Sequence, residues 1–160
     1  MQSSLKAGLH FGLTSGVITT LGLVVGLHAG TRSQLAVIGG ILTIAVADAL
    51  SDAMGVHVSR EAEEIYLDRE LWLATGATFG AKLVIALTFL VPVVLLPLPW
   101  SILVSVVWGL GLITGLSYLI ARSRRVAPAR VVLEHLLLAL LVVGIAYALG
   151  LWVARYFGMP

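Results

Sequence analysis

Five long apolar stretches dominate this chain, at about residues 8–29, 34–58, 72–96, 100–121 and 130–153. Each reaches the ~20 residues that a helix needs to cross the hydrocarbon core of a bilayer. Inside lipid no water is available to satisfy backbone N–H and C=O groups, so a spanning segment must be a helix or part of a closed barrel. A barrel needs alternating segments of about ten residues, and continuous apolar runs are the wrong pattern. The expectation is an all-α polytopic membrane protein of five helices, with residues 1–160 forming one membrane domain.

Composition excludes the other classes. Hydrophobic residues make up 59% of the chain and charged ones 11%, whereas a soluble domain carries about 25% charged residues to wet its surface. Disorder needs low hydrophobicity and high charge. The absence of cysteine removes disulfides, thiolate metal sites and thiol catalysis. A formal net charge of +2 gives no nucleic-acid-binding surface. The bilayer itself is the first partner.

Turn and charge signals separate the stretches: His28 to Arg32, the charged run 59–70, Leu96-Pro97-Leu98-Pro99, and Arg122 through Pro128. Trp72, Trp100, Trp152 and Tyr156 fall at predicted ends, where amphipathic aromatic rings prefer to sit. With five spans, the N-terminus and the second and fourth connections share a side. That side holds Lys6, Arg60, Arg69, Arg122, Arg124, Arg125 and Arg130, against Arg32 and Arg155 opposite. The positive-inside rule then puts the N-terminus in the cytosol and the C-terminus outside. Leu27-His28-Ala29 is a poor cleavage site, so the first stretch is expected to stay as a span.

The polar residues inside the spans carry the functional signal. Gly8, Gly12, Ser15, Thr19, Gly22 and Gly26 recur every three or four residues, a small face on which another helix can pack closely. Ser15, Thr19 and Thr20 offer oxygens along it. In the second span, Asp48 and Asp52 are four apart and share a face, with Ser51, Gly55 and Ser59 near the same stripe. At 1.5 Å rise per residue, Ser15 and Thr19 lie about 10–16 Å deep and Asp48 about 13 Å deep, so antiparallel neighbours bring them level. Each such acid costs about 2.5–3.5 kcal/mol to insert and marks a functional site by default. Hard oxygens suit a divalent cation, with Met54 as a softer thioether donor. Met54 lies more than about 100° from the aspartate stripe and His57 opposite it, so either joins only through a twist or a second subunit.

Lys82, near the middle of the third span, needs an acid. Asp48 or Asp52 would place the ammonium where a metal would stand; Glu134 in the fifth span is the other partner open to it. Glu134 and His135 together read as a relay or as interfacial anchors. Arg60 and Glu64 have the i,i+4 spacing of a helix running into the cytosol. In that run Glu61, Glu64 and Asp68 form a negative surface that would gather cations.

Residues 11–26 and 47–59 are similar to the first and second spans of the vacuolar iron transporter family, which includes manganese carriers. The first carries the Ser/Thr-Thr-Leu-Gly-Leu-Val run as Thr19-Thr20-Leu21-Gly22-Leu23-Val24, and the second carries Ala47-Asp48-Ala49-Leu50-Ser51-Asp52-Ala53-Met54-Gly55. The family's first-span aspartate falls on Ser15, its second-span methionine on Asp52 and its following glutamate on Val56, while Asp48 replaces a small residue. The long acidic domain between spans two and three shrinks to about a dozen residues. What the resemblance implies is five spans, a homodimer, and export of Fe²⁺ or Mn²⁺ from the cytosol in exchange for protons, with no prosthetic group. The membrane would be the cell membrane in a prokaryote and a vacuolar-type membrane in a eukaryote. Asp48, Asp52, Ser51 and Met54 would then hold the metal, and Ser15 and Thr19 would line its path. A non-transporting membrane scaffold, its acids neutralised by Lys82, is the competing expectation. No enzyme is expected, because an acid pair on one helix does not face itself across a substrate.

Overall fold

The computed structural model describes residues 2–63 and 65–158, without the side chain of Gln2. Six helices follow in order: α1 Gln2–Thr31, α2 Gln34–Glu61, α3 Asp68–Thr88, α4 Leu90–Leu95, α5 Leu98–Ser123 and α6 Pro128–Phe157. Among the described residues there is no strand. Taking α3 and α4 as one unit, 68–95, five helical segments are long and apolar enough to cross a membrane. The expected all-helical, five-segment architecture of an integral membrane protein is therefore what forms. Helices α1, α2, α3, α5 and α6 each extend a few residues beyond the matching apolar stretch at one end or both, while α4 lies inside it.

Local chemistry sets the ends. Between α1 and α2 the chain turns on Arg32, which has a left-handed φ of 49°. Ser33 then caps α2, its hydroxyl accepting from the Ala36 N–H at 3.2 Å. The third segment breaks at Phe89; Pro92, three residues on, has no N–H for the helix ladder and crowds the carbonyl one turn back. Proline at the start of α5 and of α6 occupies first-turn positions where no intrahelical donor is lost.

α1 is the hub, packing against α2, α3, α5 and α6. Its small face divides the work. A Cβ built at Gly8 or Gly12 would meet the backbone of Ala74 or Thr78 on α3, and one built at Gly22 or Gly26 would meet Val142 or Ala146 on α6. The pairing order shows that α1, α3 and α6 run parallel. Thr78 ties the α1–α3 seam, donating to the Ala74 carbonyl at 2.9 Å and to the Gly8 carbonyl at 3.3 Å. Around the C-terminal half of α1, Val17, Leu21, Val24, Val37, Ile41, Ile85, Phe89 and Ile113 form the buried core. This leaves α2 attached by one stripe, Val37, Ile41, Ala45, Ala49 and Ala53, with its two aspartates at the stripe's edge.

Candidate functional site

On α2 the buried alanines 45, 49 and 53 bring the helix close to α1 and α3, and Asp48 and Asp52 flank that contact. On α3 the facing residue is Lys82, 1% exposed. Its stem lies along Gly16 of α1, where a Cβ would stand 3.3 Å from both Lys82 Cα and Cγ. The glycine face of α1 thus makes room for the lysine as well as for the helix.

The ammonium of Lys82 meets Oδ2 of both aspartates. It donates hydrogen bonds to Asp52 Oδ2 and to Ser15 Oγ, the latter at 3.0 Å. The contact to Asp48 Oδ2 is a close ion pair whose direction is not that of a hydrogen bond. Ser15 in turn donates its hydroxyl to Asp52 Oδ2 at 2.6 Å. Three helices therefore meet in one closed cluster of two carboxylates, one ammonium and one hydroxyl. The side chains of Asp48 and Asp52 remain 29% and 23% exposed. Their outer oxygens, Oδ1, have no protein partner among the described residues.

A groove of about 560 Å³ reaches the cluster from the end of the bundle where α2 finishes. Asp52 and Ser51 line it together with Phe11, Gly55, Val56, Ser59, Arg60 and Glu63, whereas Asp48 does not. Arg60 is held at the mouth with its guanidinium 5.0 Å from the centre of the Tyr66 ring.

Of the two partners open to Lys82, the aspartates take it. Glu134 instead pairs with Arg130 at 2.8 Å on the exposed surface, one helical turn away, so it is no counter-ion for the lysine. His135 meets the buried hydroxyl of Ser117 at 2.7 Å and ties α5 to α6, while His57 meets Thr75 at 2.9 Å and packs its ring 4.7 Å from that of Trp72. Both histidines join helices. Met54 is 57% exposed and does not line the groove, as its angle on the helix requires. Ser51 is on the groove wall. Thr19 donates back to the Ser15 carbonyl at 2.9 Å, and Thr20 is buried without a hydrogen-bond partner.

Among the described residues no three His, Cys, Asp or Glu side chains converge to hold a metal ion. The acidic connector is also rearranged. α2 ends at Glu61 rather than continuing as a cytosolic helix, with Glu61 and Asp68 exposed on either side of the turn. Glu64, and with it the expected Arg60–Glu64 pair, lies outside the described residues. Among the described residues of the connector, the acid on the groove is Glu63, which the sequence pattern did not single out; its spacing of four from Ser59 and eight from Gly55 was the available signal. Comparison with family models, characterised proteins and solved structures gave no match.

Proposed function

We propose that this chain is a membrane transporter that carries a cation out of the cytosol in exchange for protons, with the Asp48–Lys82–Asp52 cluster as the exchange site. One observation carries the reading. Two carboxylates share a single buried ammonium, their Oδ1 atoms have no protein partner among the described residues, and Asp52 lines a groove that leads to the cluster. A chain held together by apolar packing gains nothing from an excess buried charge, which is costly to hold in lipid. A site that must bind and release cations needs one.

The basic end of the bundle, at the N-terminus and at the α2–α3 and α5–α6 connections, would face the cytosol, so the groove would be an inward-facing mouth. Glu63 there, and Glu61 and Asp68 close by, would raise the local cation concentration. Fe²⁺ and Mn²⁺ are the cargo that the family resemblance implies. A homodimer is proposed through α2, whose outer face exposes Gly39, Thr43 and Ala47 in one row beyond the groove. Small rows of this kind let helices approach in lipid. Gly39→Leu, where nothing lies within 4 Å in the single chain, should weaken self-association in detergent while leaving helix content unchanged.

A second reading has its own observation. The Lys82 ammonium already has two hydrogen-bond acceptors and a second carboxylate, which suits a permanent structural pair in a non-transporting scaffold. Uptake of radiolabelled Mn²⁺, Fe²⁺ and Na⁺ into proteoliposomes under a pH gradient separates the two. Cation accumulation abolished by Asp52→Asn supports transport; no accumulation of any of the three supports the scaffold.

A further inference from the structure

Resting on the transport reading, we propose that the site is built for a singly charged alkali cation of about sodium size. It would be held on Oδ1 of Asp52 and the Ser51 hydroxyl, both on groove-lining residues, while Lys82 stays bound to the Oδ2 atoms and Asp48 supplies the second negative charge. The inner oxygen of each carboxylate is committed to the ammonium. Asp52 Oδ1 has no protein partner among the described residues and Asp52 lines the groove, so the lysine and an incoming ion need not compete for one atom. The Asp52 carboxylate can bridge both.

Charge decides the ion class. Two carboxylates against one ammonium leave one unit of negative charge within the membrane-spanning part of the fold. A singly charged ion brings the cluster to neutrality. A doubly charged ion leaves it one unit positive, with the excess pressed against Lys82, which is 1% exposed and cannot retreat to water. Uncompensated charge of either sign is disfavoured in a low-dielectric interior.

Ligand chemistry agrees. Where it reaches the cluster the groove offers oxygen, from the Asp52 carboxylate and the Ser51 hydroxyl, and oxygen ligands suit hard cations. Iron and manganese would be better served by more protein donors. Here the thioether of Met54 is exposed off the groove, and among the described residues no third acid or imidazole joins Asp48 and Asp52 in a metal-holding group. Small alkali ions keep part of their water shell, and the open groove has room for it.

The test titrates the full-length protein in nanodiscs with ²²Na⁺ and, separately, ⁵⁴Mn²⁺, and measures uptake of both into proteoliposomes. Expected is saturable ²²Na⁺ binding of one ion per chain that equimolar Mn²⁺ does not displace. Asp52→Asn, which brings the empty cluster to neutrality, should lower Na⁺ affinity by at least about tenfold. Ser51→Ala, on the exposed groove wall, should weaken it by about fivefold, the equivalent of one lost polar contact. Lys82→Met doubles the excess charge and should shift the preference toward Mn²⁺ by about tenfold or more. If Lys82→Met does not fold, Asp52→Asn and Ser51→Ala carry the test with the lysine in place. Wild-type protein that binds Mn²⁺ in preference to Na⁺, including one Mn²⁺ per two chains, overturns this inference and leaves cation transport standing. Absence of any bound or transported cation overturns both.

Discussion

Removing the ammonium is the sharpest perturbation of the cluster. In Lys82→Met the apolar stem keeps its place along Gly16, but two carboxylates lose their shared cation. Breaking a buried ion pair by deleting one partner typically costs about 3–5 kcal/mol. Asp48 and Asp52 keep 29% and 23% exposure, so some water still reaches them, and the lower end, about 3 kcal/mol, is expected. The triple variant Lys82→Met/Asp48→Asn/Asp52→Asn removes every charge at once. Replacing a whole buried ionic group is often neutral, so it should return to within about 1–2 kcal/mol of wild type. Reversible unfolding in mixed micelles, followed by circular dichroism at fixed protein and detergent concentration, reads both numbers. A single variant that loses less than about 1 kcal/mol would refute the reasoning. So would a triple variant no more stable than the single, since the loss would then come from packing and not from stranded charge.

Two further outcomes follow from the packing and the surface. Gly12→Ala places a methyl 2.5 Å from the Thr78 carbonyl oxygen, so it should force α1 and α3 apart and cost about 1–3 kcal/mol in the same unfolding assay. Glu134→Gln removes only an exposed i,i+4 partner of Arg130, so it should change stability by no more than about 0.5 kcal/mol and leave cation uptake at the wild-type rate.

The spans were legible because lipid imposes a length and a composition that few other structures share. Asp48, Asp52 and Ser15 were legible for a related reason: a polar group in a span needs a partner, and depth arithmetic on antiparallel helices brings these three level. Lys82 was legible as a group in need of an acid, but spacing along the chain could not choose between α2 and α6. That choice is made by the glycine face of α1, which pulls α3 in at Gly12 and Gly16 and so delivers the ammonium to α2. The break at Phe89 follows Pro92, yet the third stretch read as continuous because its hydrophobicity is uninterrupted. Glu63 was missed because the connector was treated as one charged surface. Only the turn after Glu61 decides which of its acids lies on the groove.

The central claim is that the carboxylates of α2 serve a moving cation, and Asp52→Asn tests it most directly. Wild-type and variant protein, reconstituted at equal density into liposomes with a pH gradient, are compared for initial uptake of Na⁺, Mn²⁺ and Fe²⁺. Wild type is expected to accumulate at least one of these ions and collapse of the pH gradient to stop it, with the variant slower by about tenfold or more. Equal uptake by wild type and Asp52→Asn would contradict the claim, as would a wild type that moves none of the three.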